Sequence, residues 1–320
     1  MRLSEEHLKK IAMIKNLVIN HSQFDMAYRK MLDAYQLNIK VGIPQHIICV
    51  GQSGTGKSTL KEKIKANFPR REENSKTITP ILIIDTPPIP TIKNLAEEML
   101  IQLGDSRFHI GSAVQKTSRV LNFLEHCEVK MIIFDELQHF IDQGRKRAPQ
   151  DVSDWLKTVI DKSKTSIILM GLERCDQLLR INEQLRRRFS RRIDISPFSM
   201  NNQKDFEEFI GVICTLDEKI GLPDRINLFN KDLMVALFYA TNGVIDCIVK
   251  LFIGAYEVAI AQRKHTLDAA CFEIAFTENV WIDGVGKLNP FNKKFIWENL
   301  DKPGMPFHRM DSVLVERLSK

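Results

Sequence analysis

The sequence has no paired cysteines, no long apolar run and no dominant sign of charge, and each absence closes off a class of function. Its six cysteines (Cys49, Cys127, Cys175, Cys214, Cys247, Cys271) are scattered along 320 residues, without the spacings of a disulfide framework or a zinc site. They read as small apolar residues in a reducing compartment. The longest apolar run, Leu233 to Ala240, falls far short of the roughly 20 residues that a membrane span requires. Met1 to Lys10 mixes acids and bases with no apolar core behind it, so no export leader is expected and the cytoplasm is the expected location. The 46 Lys and Arg against 40 Asp and Glu leave a net charge of +6, which permits a polyanionic partner without demanding one. The length suits about two domains.

What is present begins with Gly51-Gln52-Ser53-Gly54-Thr55-Gly56-Lys57-Ser58-Thr59, glycines at the first and sixth positions followed by Lys-Ser. His46 to Val50 reads as a buried strand feeding this loop, and Thr59 to Ala66 as a helix leaving it, which is the context a phosphate-binding loop requires. Glycine is needed where the backbone turns with unusual dihedrals and amides crowd against a polyanion; the emerging helix adds the positive end of its dipole. In that geometry Lys57 reaches the β- and γ-phosphates of ATP and Ser58 ligates Mg²⁺. A glycine-rich turn that binds nothing is the plain alternative, and the flanking strand and helix weigh against it.

Pro80 to Asp85, Met131 to Phe134 and Thr165 to Met170 are further continuous apolar runs separated by helical stretches, the pattern of a parallel sheet covered on both faces. The fold class expected is α/β, a three-layer αβα domain. The run ending at Phe134 is followed by Asp135-Glu136. A strand-end carboxylate beside a phosphate loop holds the Mg²⁺ shell, and a second acid next to it orients and deprotonates water, so Asp135 is assigned to the metal and Glu136 to the base. An acid pair can also merely open a helix. Between these strands, Thr91 caps a helix stopped by Gly104, and Asp105 to Arg119 reads as a loop. Residues 1 to about 40 read as helical, either a wrap that packs on the core or a platform whose residues near Gly42-Ile43-Pro44 border the adenine. Gly171-Leu172-Glu173 offers no Asn or Thr to sense a γ-phosphate.

Gln184-Leu185-Arg186-Arg187-Arg188-Phe189-Ser190-Arg191-Arg192 holds the densest charge, and the planar guanidinium fork suits phosphate, either a neighbouring subunit's γ-phosphate or a nucleic-acid backbone. Arg188, just before the aromatic, is expected to act on a neighbour; some of the others read as solvated surface, as does Arg145-Lys146-Arg147. Beyond Pro197 the apolar spacing is helical only, through 201–216, 231–240, 243–262 and 267–279, the pattern of a small helical lid. After Gly243 the nearest base for a lid role is Lys250. From Gly284 on, proline, glycine, lysine and isolated aromatics predict an extended tail, a disordered end or a peptide that docks on a partner. The segments expected are 1–40 helical, 41–198 nucleotide-binding, 199–283 lid and 284–320 tail.

On its phosphate loop, Phe134-Asp135-Glu136-Leu137-Gln138-His139, Gly171-Leu172-Glu173 and Gln184-Leu185-Arg186-Arg187-Arg188-Phe189, the chain resembles the AAA+ ATPases and, within them, the TnsC/TniB transposition regulators, over roughly residues 10 to 295. These are ATP-dependent target-selection proteins of transposons, including CRISPR-associated ones. The resemblance implies an ATPase, with slow hydrolysis, that assembles with ATP and Mg²⁺ into a ring or helical filament of identical subunits on duplex DNA. It implies recruitment of a TnsB-like transposase and work with a TniQ-like target selector. By position it also implies DNA contacts at Lys93 and in the loop bearing Ser112 and Lys116. Two other readings share the same engine: an origin-recognition or helicase-loader ATPase, which usually appends a winged-helix reader that the roughly 40 residues after Asn279 are too few to form, and a scaffold that holds nucleotide without hydrolysing it, which Glu136 opposes.

Overall fold

The computed structural model describes residues 4–74, 76–88, 90–142 and 148–309. The Arg145-Lys146-Arg147 triplet and the last residues of the expected tail lie outside them. The chain divides into two compact units: Gln23–Ile195, and the residues up to Ser22 together with those from Ser196 on.

The first unit is built on a five-stranded parallel sheet. In chain order it holds α2 (Ser22–Val41), β1 (His46–Gly51), α3 (Lys57–Asn67), the short antiparallel pair β2 (Arg71–Glu73) and β3 (Lys76–Ile78), β4 (Ile81–Asp85), α4 (Ile92–Leu103), α5 (Ala113–His126), β5 (Met131–Asp135), α6 (His139–Asp142), α7 (Ala148–Ser163), β6 (Ser166–Gly171), α8 (Asp176–Ile181), α9 (Glu183–Arg188) and β7 (Arg191–Ile195); α1 (Glu5–Lys15) precedes them in the other unit. The strand order is β4-β5-β6-β1-β7, with β1 pairing β6 on one side and β7 on the other. Side chains alternate along each strand, so the apolar runs fill two cores. Ile48, Val50, Ile132, Phe134 and Leu169 join the helices α4, α5 and α7 on one face, while Ile47, Cys49, Ile133 and Met170 join α2 and α3 on the other. The result is the three-layer αβα arrangement that continuous apolar strands require.

Local chemistry fixes the helix ends. Thr91 caps α4, and Gly104 closes it in the left-handed region at φ 87°, as the sequence predicts. Asp105 to Arg119 is not a loop throughout: Ser112 and Gln115 form a capping box that starts α5 at Ala113, so the helix begins well before Arg119.

The second unit contains α1, α10 (Gln203–Ile220), α11 (Lys231–Thr241), α12 (Ile245–Ala261) and α13 (Ala269–Ala275) around an aromatic core with Phe209, Phe252, Phe272 and Phe276. Asn202, Asn230 and Asp268 cap three of these helices with side-chain oxygens. Two segments differ from expectation. The N-terminal helical stretch is shared, α1 packing with this unit through buried Ile14 and α2 with the sheet. Residues 284 to 309 are not an extended tail: Phe295 and Leu300 are buried in the same core, and the buried Asn289 amide donates to the carbonyls of Glu273 and Gly284 at 2.9 Å each. The apolar positions sit too far apart for a helix and still find one core. Among the described residues no helix is long and apolar enough to cross a membrane.

Candidate nucleotide site

The phosphate loop leaves the carboxyl end of β1, which lies between β6 and β7, and returns as α3. Gly54 and Gly56 sit at φ 79° and 95°, in the region glycine alone enters freely. Gly51 is required for another reason: a Cβ there would stand 2.2 Å from the carbonyl oxygen of Ile195 on β7. The Thr55 hydroxyl donates to Gln52 O at 2.9 Å and braces the turn. Lys57 points back over the loop, its ammonium donating to Gly51 O at 2.8 Å and Gln52 O at 2.6 Å. Burial lowers its pKa below the ordinary lysine value. Ser58 is exposed on the first turn of α3. Ser53 and Thr59 complete the motif, both exposed.

Asp135 ends β5, two strands from β1 with β6 between, so about 10 Å separates the backbones of the two strand ends. It is buried, 2% exposed, and a residue missed by the sequence reading holds it: Lys61, one turn beyond Lys57 on α3, bonds Asp135 Oδ2 at 2.6 Å and Asp85 Oδ1 at 2.5 Å. Asp85 is the register partner of Asp135 on β4, so the two carboxylates share one end of the sheet. Burial works against the Lys61 charge, but the bonds to Asp135 and Asp85 outweigh it and raise the pKa. The signal was the i, i+4 spacing from Lys57, which puts both ammonium groups on one helix face.

Glu136 takes φ +57°, left-handed for a non-glycine residue, which turns its side chain out of the strand direction. Its amide donates to Asp135 Oδ1 at 2.9 Å, its carboxylate accepts from the Gln138 amide, and its side chain is 45% exposed. Beside this pair, Thr86 has a buried hydroxyl with no partner among the described residues. A glycine cradle, a lysine over it, a serine hydroxyl on the first helical turn and an adjacent carboxylate are a donor set that fits a triphosphate with Mg²⁺: the loop amides and Lys57 for the phosphates, Ser58 and Asp135 for the cation.

Comparisons with known proteins give the family and the fold. The family model described as bacterial TniB protein matches residues 10–198, which include the loop, the acid pair and the arginine run. The chain belongs to the bacterial TniB family. No curated protein matches the sequence. Among solved structures, the Aeropyrum pernix ORC2 protein, as ADPNP-ADP complexes, is similar at TM-score 0.59 and 14% identity, over 82% of the TniB chain and 69% of that chain. The Aeropyrum pernix ORC1 protein in complex with DNA is similar at 0.56 and 14%, over 82% and 66%, and Cdc6p from Pyrobaculum aerophilum at 0.52 and 14%, over 78% and 67%. At such identities the likeness is one of fold, and the fold is that of a P-loop AAA+ ATPase.

Other positions expected in this TniB chain lie elsewhere. Gly42-Ile43-Pro44 precedes the amino end of β1, which begins at His46. Arg188 is also at that far end: β7 begins at Arg191 opposite Ile47, and the Arg188 guanidinium bonds Asp161 Oδ1 at 2.5 Å. Burial pushes His46 down to about 4, and the nearby Arg188 charge adds to the shift. Of the other arginines, Arg187 pairs with Glu183 and Arg192 with Asp176 and Asp194, while Arg186 and Arg191 are exposed without an ion-pair partner among the described residues.

Of the three positions expected on DNA, Lys93 is exposed at the start of α4, and Ser112 lies at the surface with its hydroxyl oxygen capping α5. Lys116 is overturned: it is fully buried, its ammonium bonded to Phe108 O and 3.2 Å from Glu97, so no phosphate backbone reaches it. In the helical unit Lys250 pairs with Asp246 at 2.6 Å, and the amide of Leu172, at the end of β6, donates to Gln138 Oε1 at 3.3 Å.

Proposed function

We propose that the protein is an ATP-dependent regulator of DNA transposition that assembles as a ring or filament on duplex DNA, marks a target site and recruits a transposase, with hydrolysis resetting the assembly. The observation that carries the reading is the family match across the very residues that build the nucleotide site. The DNA-bound ORC1 relative in fold is in keeping with a duplex partner. The net charge of +6 is enough for an assembly in which a few phosphate contacts, Lys93 among them, repeat from subunit to subunit.

In this mechanism the loop amides and the α3 dipole orient the triphosphate, and Lys57 leaves the loop carbonyls to bond its outer phosphates. Mg²⁺, when bound through Ser58 and Asp135, neutralises charge on the phosphate oxygens. Glu136 orients the attacking water and takes its proton. Arg188, supplied by a neighbouring subunit, meets the charge that develops on the transferred phosphoryl group. The division of roles has a direct test. Lys57→Ala abolishes ATP binding and ATP-dependent retention of duplex DNA together, while Glu136→Gln keeps ATP bound and gives a long-lived assembly; the two variants behaving alike would refute it. DNA binding by the unaltered protein falls steeply with salt and requires ATP. Filter binding indifferent to ATP would remove the proposal.

A further inference from the structure

Glu136 does not hold its own position. A glutamate just past a strand end, with a left-handed backbone and a side chain nearly half exposed, has many rotamers open to it, and a base that must meet one water gains rate from having few. His139 Nε2 stands 4.0 Å from Glu136 Oε2, and the residue that hydrogen-bonds the same oxygen is Gln138, two positions on and 2% exposed. The Gln138 Nε2 amide donates to Glu136 Oε2. Its Oε1 accepts from the Leu172 amide at 3.3 Å and from Cys175 Sγ at 3.4 Å. Both ends of the side chain are therefore used, one on the acid and one on the turn that follows β6. Gly171 makes room for this: a Cβ there would lie 2.4 Å from Gln138 Oε1. Leu172 occupies the strand-end place where the sequence offers no Asn or Thr to sense a phosphate, and its main chain is tied to the base through one amide group.

We propose that Gln138 is the positioning residue for Glu136, holding its carboxylate toward the nucleotide site and coupling it to the end of β6 through the Leu172 amide. The proposal rests on the reading of Glu136 as the base. Gln138 touches no reacting atom; its effect passes through the carboxylate it bonds.

The test is steady-state ATP hydrolysis by the full chain with duplex DNA present, across four single variants and one double variant. Gln138→Met keeps the volume and removes both hydrogen bonds, and lowers kcat about ten- to a hundred-fold with KM for ATP within two-fold of the parent. Gln138→Glu keeps the acceptor for Leu172 but offers no amide donor to Glu136, and falls with Gln138→Met. Gly171→Ala leaves Gln138 in the chain and crowds its amide, and shows the same split between kcat and KM; it also keeps the proposal open to refutation if Gln138→Met folds poorly. The decisive comparison is Glu136→Gln with and without Gln138→Met: a residue that acts only through Glu136 costs nothing further once that carboxylate is gone. A full additional loss in the double variant, a rise in KM equal to the fall in kcat, parental activity in Gln138→Met, or full activity in Gln138→Glu overturns the proposal while leaving the base assignment standing. Parental hydrolysis by Glu136→Gln overturns the base assignment itself, and the positioning role with it.

Discussion

Lys61 shows how much a single side chain can decide at the acid end of the sheet. Two carboxylates, Asp85 and Asp135, face each other in register on neighbouring strands, and one of them is almost wholly buried. Without a cation between them Asp135 would be an uncompensated buried charge, which costs several kcal/mol. Lys61→Met keeps the aliphatic stem and removes the charge, and is expected to destabilise the protein by on the order of 3 kcal/mol, measured by chemical denaturation without Mg²⁺. Most of this belongs to Asp135, because Asp85 is 70% exposed and solvent screens it. Combining Lys61→Met with Asp135→Asn should recover part of the loss, since the stranded charge is then gone; strictly additive losses would mean that the pair is not coupled. Cys49 and Cys175 nearby are the opposite case. Burial pushes both thiols up to about 12, so neither is a nucleophile at neutral pH, in line with their reading as small apolar residues.

At the scale of the elements, what was legible followed from period and punctuation. β1, β4, β5 and β6 stand where continuous apolar runs stop at glycine or acid, and α4 runs from its Thr91 cap to its Gly104 stop. The acid pair and the phosphate loop were legible because their chemistry is local to a strand end. Four features were not. The β2-β3 pair is polar and exposed over β2, with no alternation to betray it. The start of α5 was hidden by small and basic residues, although Ser112 and Gln115 carry the capping-box spacing. Lys116 looked available because its burial depends on Glu97, which is distant in sequence. The segment 284–309 has no regular period, so its anchoring by Phe295, Leu300 and Asn289 is visible only in three dimensions. That anchoring changes the expected result of truncation. A chain ending at 284 lacks two buried apolar side chains and the Asn289 bonds and should lose several degrees in Tm relative to the full protein or fail to fold. Equal melting of the two chains would mean that the segment contributes nothing to the helical core.

At the scale of the whole molecule, the sheet itself separates the parts of the proposed reaction. The phosphate loop, Asp135, Glu136 and Lys61 gather at the carboxyl ends of the strands, while Arg188 lies by His46 at the amino end of β1. About 16 Å of strand separates the two ends, more than an arginine side chain spans, so Arg188 cannot reach a triphosphate held by its own chain. If it serves catalysis it serves another copy, and that can be read in a mixture. Glu136→Gln subunits lack the base but keep the arginine, and Arg188→Ala subunits have the reverse defect. Each alone should be nearly inactive, and an equimolar mixture should regain about a quarter of parental hydrolysis, the share of random interfaces at which an intact base faces an intact arginine. The loss of the partly exposed Asp161 pair in Arg188→Ala costs at most about 1 kcal/mol, too little to explain inactivity by unfolding. Activity equal to the sum of the separate variants would exclude Arg188 as the shared group. The same mixture run with Arg186→Ala or Arg191→Ala then becomes the discriminating experiment, because those two guanidinium groups are exposed and carry no ion pair among the described residues to be broken before they engage a phosphate.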